Sequence, residues 1–359
     1  MSRFVTRHVS FYLNHDDARW YPGLTQGCKG CLFDRARAQI LAVLSIVDPD
    51  HPSTSAAVTC NIQKNMLRIS CINFRTSASR QDTLARATAL VKQAVFKFKA
   101  ETCVPGVVVL PECWTGEYGV TNFEKNAERF MDQESGTRLM SELASELGIY
   151  VIGGVIEQTT DALFNSVFAF NPEGSAIARY RKLHLSRVTF GEDRTSEGTV
   201  LCPGNKLACF DVGTTGFRVG LLNCFDLRFP AASRSLRHQA DCNVLVYPSA
   251  WLKSSGELGH WETLLKARAL DNQVYVAGIN VARNDAQDVV CFGHTQVIDP
   301  LGQVLALSSD HFADDIVTAK LSLSAIENAR ARVPLDECAR TDIFETDSFS
   351  SQIIDINNI

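Results

Sequence analysis

Val219-Gly220-Leu221-Leu222-Asn223-Cys224-Phe225-Asp226-Leu227-Arg228-Phe229-Pro230 holds the change of pattern on which the fold turns. Its apolar start fits a buried strand, and from Pro230 onward Ala231 and Leu236 begin a helical spacing. Proline suits the first turn of a helix, where the N–H it lacks has no intrahelical partner. The stretch therefore predicts a strand, a turn at Cys224 and a helix. A thiol on such a turn lies near unpaired backbone N–H groups and the positive end of a helix dipole, which favour thiolate and can hold an oxyanion. The opposing reading is that Cys224 is one of twelve cysteines and packs as a small apolar side chain.

The same alternation continues on both sides. Upstream, Leu67 to Phe74 alternates as a strand, and Thr83 to Phe98 has apolar residues at helical spacing. Val107 to Leu110 is fully apolar and ends in Pro111-Glu112-Cys113-Trp114, so the first charge after that strand lies at its carboxyl end, where open α/β layers place ligands. A helix over Ser135 to Leu147 leads into a strand over Ile149 to Ile156. Asn165 to Phe170 and Ser175 to Leu185 read as a hairpin across Asn171-Pro172-Glu173-Gly174, and Leu207 to Val212 with Phe217 to Leu222 as another. Downstream, the strand Asn243 to Tyr247 leaves through Pro248-Ser249-Ala250-Trp251, ahead of a helix over His260 to Asp271. Strands over Val274 to Ile279, Phe292 to Ile298 and Ile316 to Leu321 and a short helix after Leu323 finish the pattern. Strands interleaved with amphipathic helices predict a layered α/β domain with helices outside.

The chain has 359 residues, 45% of them hydrophobic, enough for a large core. A net charge of −5 supplies no global basic field for nucleic acid or anionic membrane, which leaves a small molecule as the expected ligand. No apolar run approaches the roughly 18 residues of a membrane span. Twelve cysteines spread along a chain of this length fit free thiols in a reducing compartment, the cytoplasm. Residues 1–65 mix charges with isolated aromatics and read as an N-terminal extension. Arginine and serine in its first twenty residues permit mitochondrial targeting, against which Asp16 and Asp17 weigh. Cys28-Lys29-Gly30-Cys31 has no second pair at zinc spacing, so no metal site is expected. The catalytic domain is expected over 66–345 and a C-terminal tail over 346–359.

An amide-cleaving thiol needs a base, a donor for the oxyanion and a group that fixes the leaving amine. His184 is the histidine near a strand end, and Lys182 lies two residues earlier, on the same face if the strand is regular. A lysine at such a place is most often solvated.

Three blocks, Leu110-Pro111-Glu112, Tyr180-Arg181-Lys182-Leu183-His184-Leu185 and Asn223-Cys224 through Phe229-Pro230, occur in order, each at a strand end. With Tyr247-Pro248-Ser249-Ala250 and the run His260 to Gln273 they resemble the nitrilase superfamily of carbon-nitrogen hydrolases over about residues 66 to 345. The resemblance implies an α-β-β-α sandwich, no metal or organic cofactor, and a homodimer through the face of the helix after the cysteine. It also implies Glu112 as general base, Lys182 and the Phe225 backbone N–H as oxyanion donors, and Cys224 as nucleophile. Glu197, at the family's spacing before Pro203-Gly204, is implied to hold Lys182 and the substrate amide, although the loop from Ser186 to Ser196 departs from the family pattern. Carboxylate, ammonium and thiolate in one pocket would hold each other ionised.

True nitrilases carry Trp-Glu after the nucleophile, whereas this chain has Phe225-Asp226, which favours amides over nitriles. Pro111-Glu112-Cys113-Trp114 with Glu117-Tyr118-Gly119, and Val151-Ile152-Gly153-Gly154, look like the omega-amidase branch, which deamidates 2-oxoglutaramate and 2-oxosuccinamate. There Arg228 would bind the distal carboxylate, with Trp251 and Ser255 lining the same end. Trp251 replaces the usual phenylalanine, Ser255 the usual threonine, and Lys253 to Gly259 is lengthened, which leaves substrate size open. The alternatives are an amidase for deaminated glutathione and a catalytically silent scaffold.

Overall fold

The computed structural model describes residues 65–99, 104–190, 193–340 and 342–343. The expected extension over 1–65, with its Cys28–Cys31 pair, and the tail after 345 fall almost wholly outside them.

Two six-stranded sheets form the domain, and each has parallel strands at its centre and antiparallel strands at its flanks. In the first, β1 (Met66–Asn73), β2 (Gly106–Val109) and β3 (Tyr150–Gln158) run parallel. β4 (Leu163–Phe170) and β5 (Ala176–Arg181) continue as antiparallel neighbours on one side. In the second sheet, β8 (Ala208–Asp211), β9 (Arg218–Leu221), β10 (Val244–Ser249) and β11 (Tyr275–Asn280) are consecutive neighbours, with β9, β10 and β11 parallel. The last strand, β14 (Asp315–Ser322), pairs antiparallel with β1 along its whole length and closes the free side of the first sheet.

Strands buried on both faces read as continuous apolar runs, and β2 and β10 are of this kind. Successive residues of β2 divide between two packing layers. Val107 and Val109 join Ile69, Cys71, Val219, Leu221 and Val246 in the cluster between the sheets. Val108 turns the other way, beneath Val91 and Ala94 of α1 (Arg80–Lys99) and Met140 and Leu143 of α2 (Gly136–Leu147). Ser135 caps the first turn of α2 by accepting from the Arg138 N–H, and Gly148 ends the helix at φ 66°. The second sheet is covered by α3 (Pro230–Ala240) and, beyond a short α4 (Lys253–Glu257), α5 (His260–Asn272). The result is the expected α-β-β-α sandwich. α6 (Leu323–Arg332) follows β14, and no described helix is long and apolar enough to cross a membrane.

Four local departures from the sequence pattern matter. β5 stops at Arg181 rather than Leu185, so Lys182 and His184 do not share a strand face. The loop after Ser186 forms a small hairpin, β6 (Arg187–Phe190) with β7 (Asp193–Ser196). The strand expected from Phe292 shrinks to β12 (Gln296–Ile298), because Gly293 and His294 take left-handed backbone at φ 74° and 56°. Its neighbour β13 (Val304–Leu307), not expected from the sequence, is the edge of the second sheet.

Candidate active site

Four strand ends converge. Glu112 follows β2, Lys182 follows β5, Cys224 lies three residues beyond β9, and Ala250 follows β10. Two glycines let the backbones approach. A Cβ on Gly154 would stand 2.9 Å from Glu112 Cα, and one on Gly204 would strike the Arg181 carbonyl, next to Lys182. Gly204 also donates its N–H to the Lys182 carbonyl at 2.8 Å.

Lys182 is fully enclosed. Its Nζ lies 2.8 Å from Glu112 Oε1 and 3.0 Å from Glu197, with all three side chains inaccessible. Lone buried charges are expensive, so this cluster holds only as a set of partners. Glu112 and Glu197 raise the Lys182 pKa well above its ordinary value against the effect of burial. Glu112 accepts from the Ala250 N–H at 2.7 Å. Glu197 accepts from the Ser186 N–H at 2.6 Å and the Tyr118 hydroxyl at 3.1 Å. Burial, reinforced by Glu197, pushes Glu112 above the usual carboxylate range despite Lys182.

Cys224 corrects one expectation. It opens a 3₁₀ turn, Cys224–Arg228, that precedes α3, so it does not sit at the N-terminus of that helix. Burial and the neighbouring Glu112 raise its pKa well above the ordinary thiol value, outweighing Lys182. That direction favours the thiol over the thiolate, and Glu112 is among the groups that favour it. A thiol in that state would need a base in contact before it could act as a nucleophile. Cys224 has φ 45°, a left-handed conformation that costs a non-glycine residue roughly 1–3 kcal/mol and gathers at functional turns.

Asp226 holds that turn. Fully buried, it accepts from the Asn223 N–H at 3.0 Å, the Tyr180 hydroxyl at 2.7 Å, the His184 N–H at 3.0 Å and the His184 ring Nδ1 at 2.7 Å. His184 also stacks on Phe229 at 3.7 Å. The histidine that chain order offered as a base is thus engaged with Asp226, bracing the Cys224 turn against the end of β5. Asp226→Asn should lower stability by about 3 kcal/mol, since an amide N–H₂ would then face donors. Urea unfolding checks this, and an unchanged midpoint would remove Asp226 from that role.

Beside the thiol lies a small cleft lined by Tyr118, Ser186, Val188, Cys224, Phe225, Arg228, Ala250, Trp251, Leu252 and Ser255. It brings together Arg228, Trp251 and Ser255, named from sequence for the distal end of a substrate, with Phe225, named for its backbone N–H. The half-buried Arg228 guanidinium sits 4.5 Å from the Trp251 ring centre and 5.7 Å from that of Phe225. Its Nη1 is 3.3 Å from His260 Nδ1. Ser255, on α4, is buried with its hydroxyl 3.4 Å from the Leu252 carbonyl. Tyr118, Ser186 and Asn165 were not assigned roles from sequence. The readable signal for Asn165 was a lone amide opening an apolar strand.

Residues 56–331 match the family model described as carbon-nitrogen hydrolase. Omega-amidase NIT2 of Mus musculus is 36% identical over 288 residues, spanning 78% of this chain and 98% of that protein. Omega-amidase NIT2-A of Xenopus laevis is 34% identical over 282 residues, spanning 78% and 97%. Nit3 of Saccharomyces cerevisiae, described as a member of branch 10 of the nitrilase superfamily, superposes with a TM-score of 0.66 at 29% identity, covering 76% of this chain and 95% of that one. With sandwich, strand-end site and sequence in agreement, this chain belongs to the carbon-nitrogen hydrolase family of the nitrilase superfamily.

Proposed function

We propose that this enzyme hydrolyses the terminal amide of a short, carboxylate-bearing substrate, 2-oxoglutaramate or 2-oxosuccinamate, through a thioester on Cys224. Cys224 Sγ attacks the amide carbon while Glu112 takes the thiol proton. The carbonyl oxygen becomes an oxyanion, held by Lys182 and the backbone N–H of Phe225. An ammonium has three N–H bonds; with one each directed to Glu112 and Glu197, the third is left for that oxygen. Glu112 returns the proton to the departing nitrogen, and ammonia leaves. Water then attacks the thioester carbon as Glu112 accepts its proton, and the carboxylate product and free thiol are restored. Glu197 keeps Lys182 oriented through both half-reactions.

Arg228 is the observation that carries the substrate class. It lines the same cleft as Cys224, and a planar guanidinium against aromatic rings suits a carboxylate a few bonds from the reacting carbon. The omega-amidase relatives support the same class. The reading includes a catalytic domain over 66–345, a homodimer through the α3 face and a cytoplasmic location. The eight cysteines among the described residues are free, in keeping with a reducing compartment.

Ammonia release from 2-oxoglutaramate, from deaminated glutathione and from a neutral amide of similar size tests it. Arg228→Lys keeps the charge and loses the two-pronged geometry. It should raise KM for 2-oxoglutaramate about tenfold or more with a smaller effect on kcat, because a remote carboxylate is bound alike in ground and transition states. The neutral amide should be a poor substrate, indifferent to the change. Equal losses of kcat on both substrates would make Arg228 a brace for the Cys224 turn and sink the carboxylate clamp. Faster turnover of deaminated glutathione would reassign the substrate.

A further inference from the structure

The side chain that touches most of this cluster is neither acid, base nor nucleophile. Asn165, at the β4 end nearest the site, has no exposed surface. Its Nδ2 donates to Glu112 Oε1 at 2.8 Å and to Glu197 Oε1 at 3.1 Å. Its Oδ1 accepts from Asn223 Nδ2 at 2.7 Å, and its backbone carbonyl accepts from the Lys182 N–H at 2.8 Å. The orientation of the amide follows from its neighbours, since an oxygen turned toward two carboxylates would meet acceptors alone.

We infer that Asn165 is a positioning residue: its amide spends both N–H bonds on Glu112 and Glu197, and its oxygen ties that pair to Asn223, the residue before the nucleophile. The inference rests on the proposed roles of Glu112 and Cys224. Donors to a carboxylate favour its charged form. Asn165 therefore works with Lys182 against the burial that holds Glu112 above the usual carboxylate range. It is also a link between the sheets, because Asn223 follows β9 in the second sheet and Asn165 belongs to the first. The competing role is a buried polar filler whose loss would weaken the fold at every pH alike.

Asn165→Leu and Asn165→Asp in the full chain separate these roles. Leucine removes the donors while filling the volume. Aspartate keeps the shape and an acceptor for Asn223 but sets a third carboxyl against Glu112. Two rates are followed from about pH 5 to about pH 9: alkylation of Cys224 by iodoacetamide, read on its peptide by mass spectrometry, and kcat/KM for ammonia release from 2-oxoglutaramate. The expected result is an acid limb moved up by about one pH unit in both measurements, further for aspartate than for leucine. At neutral pH kcat/KM should fall about 10- to 100-fold, mostly through kcat. An unmoved acid limb in a variant that melts like the parent overturns the inference. If leucine does not fold, aspartate decides; if neither folds, Asn165 is a stability residue and the inference fails. Glu112→Gln run alongside keeps the cases apart, because a surviving acid limb there would reject the base assignment itself, whatever Asn165 does.

Discussion

Cys224→Ala should lower amide turnover about ten-thousand-fold or more and leave a folded protein. Sγ is the one atom proposed to bond the acyl carbon, so its loss removes the covalent step. Folding survives because alanine meets the same backbone strain at φ 45° that cysteine already bears, and the lost atom is small. Ammonia release measures the first effect and thermal unfolding the second. Mass spectrometry of a stalled reaction should find the acyl adduct on the Cys224 peptide. Cys113, Cys71 and Cys242 are the instructive controls. All three are buried with pKa values pushed up, and none lines the cleft, so alanine at each should keep turnover. An adduct on any of them would overturn the assignment.

Lys182→Met should lower kcat about a thousandfold, more than the loss of one neutral oxyanion donor, because it acts twice. The direct loss is the cation for the tetrahedral oxygen. The indirect loss falls on Glu112, which would face burial and Glu197 without its compensating charge. The sign follows from those causes. As the proposed base, Glu112 would serve only when ionised, so activity should be present above its pKa and be lost as pH falls through it. Burial already pushes Glu112 upward in the parent, so the acid limb of kcat/KM is expected above the ordinary carboxylate range. Removing the ammonium pushes it higher, so the variant should recover part of its rate toward alkaline pH. Glu112→Gln, by contrast, should cut kcat about a hundredfold or more with no acid limb to recover from. A Lys182→Met profile parallel to the parent at every pH would show that the lysine acts on the oxyanion alone.

The sandwich was readable because its centre obeys simple patterning. Val107 to Leu110 and Val244 to Tyr247 have no polar face to hide, and such runs belong to parallel strands covered on both sides. Glu112, Lys182 and Cys224 were readable because each follows such a run or its neighbour. The rest escaped for identifiable reasons. β6 and β7 are made of Arg187-Val188-Thr189-Phe190 and Asp193-Arg194-Thr195-Ser196, too polar to show the strand period. The end of β5 was placed four residues late, because Leu183 and Leu185 continue the alternation although the chain has already bent to bring Leu183 N–H to Tyr180 and His184 N–H to Asp226. Thiolate was expected at Cys224 from its neighbours' charges. Spacing along a chain carries no measure of desolvation, and desolvation dominates there. Asn165 and Asp226 were hidden for the same reason, since their partners lie 53 and 58 residues away, or 42 and 46, and converge only after the sheets close.

The nucleophile turn and Arg228 belong to one sheet, whereas Glu112, Lys182 and Asn165 belong to the other. Under the proposed mechanism, catalysis would be a property of the seam rather than of either layer. Half of this domain, however well ordered, would present a thiol without its proposed base or that base without its thiol. A slip of about 1 Å between layers, too slight to register as unfolding, is enough to quench the chemistry a hundredfold. Heat or denaturant should accordingly silence the enzyme before its helices melt, and inheritance of the activity requires both layers to be kept in step.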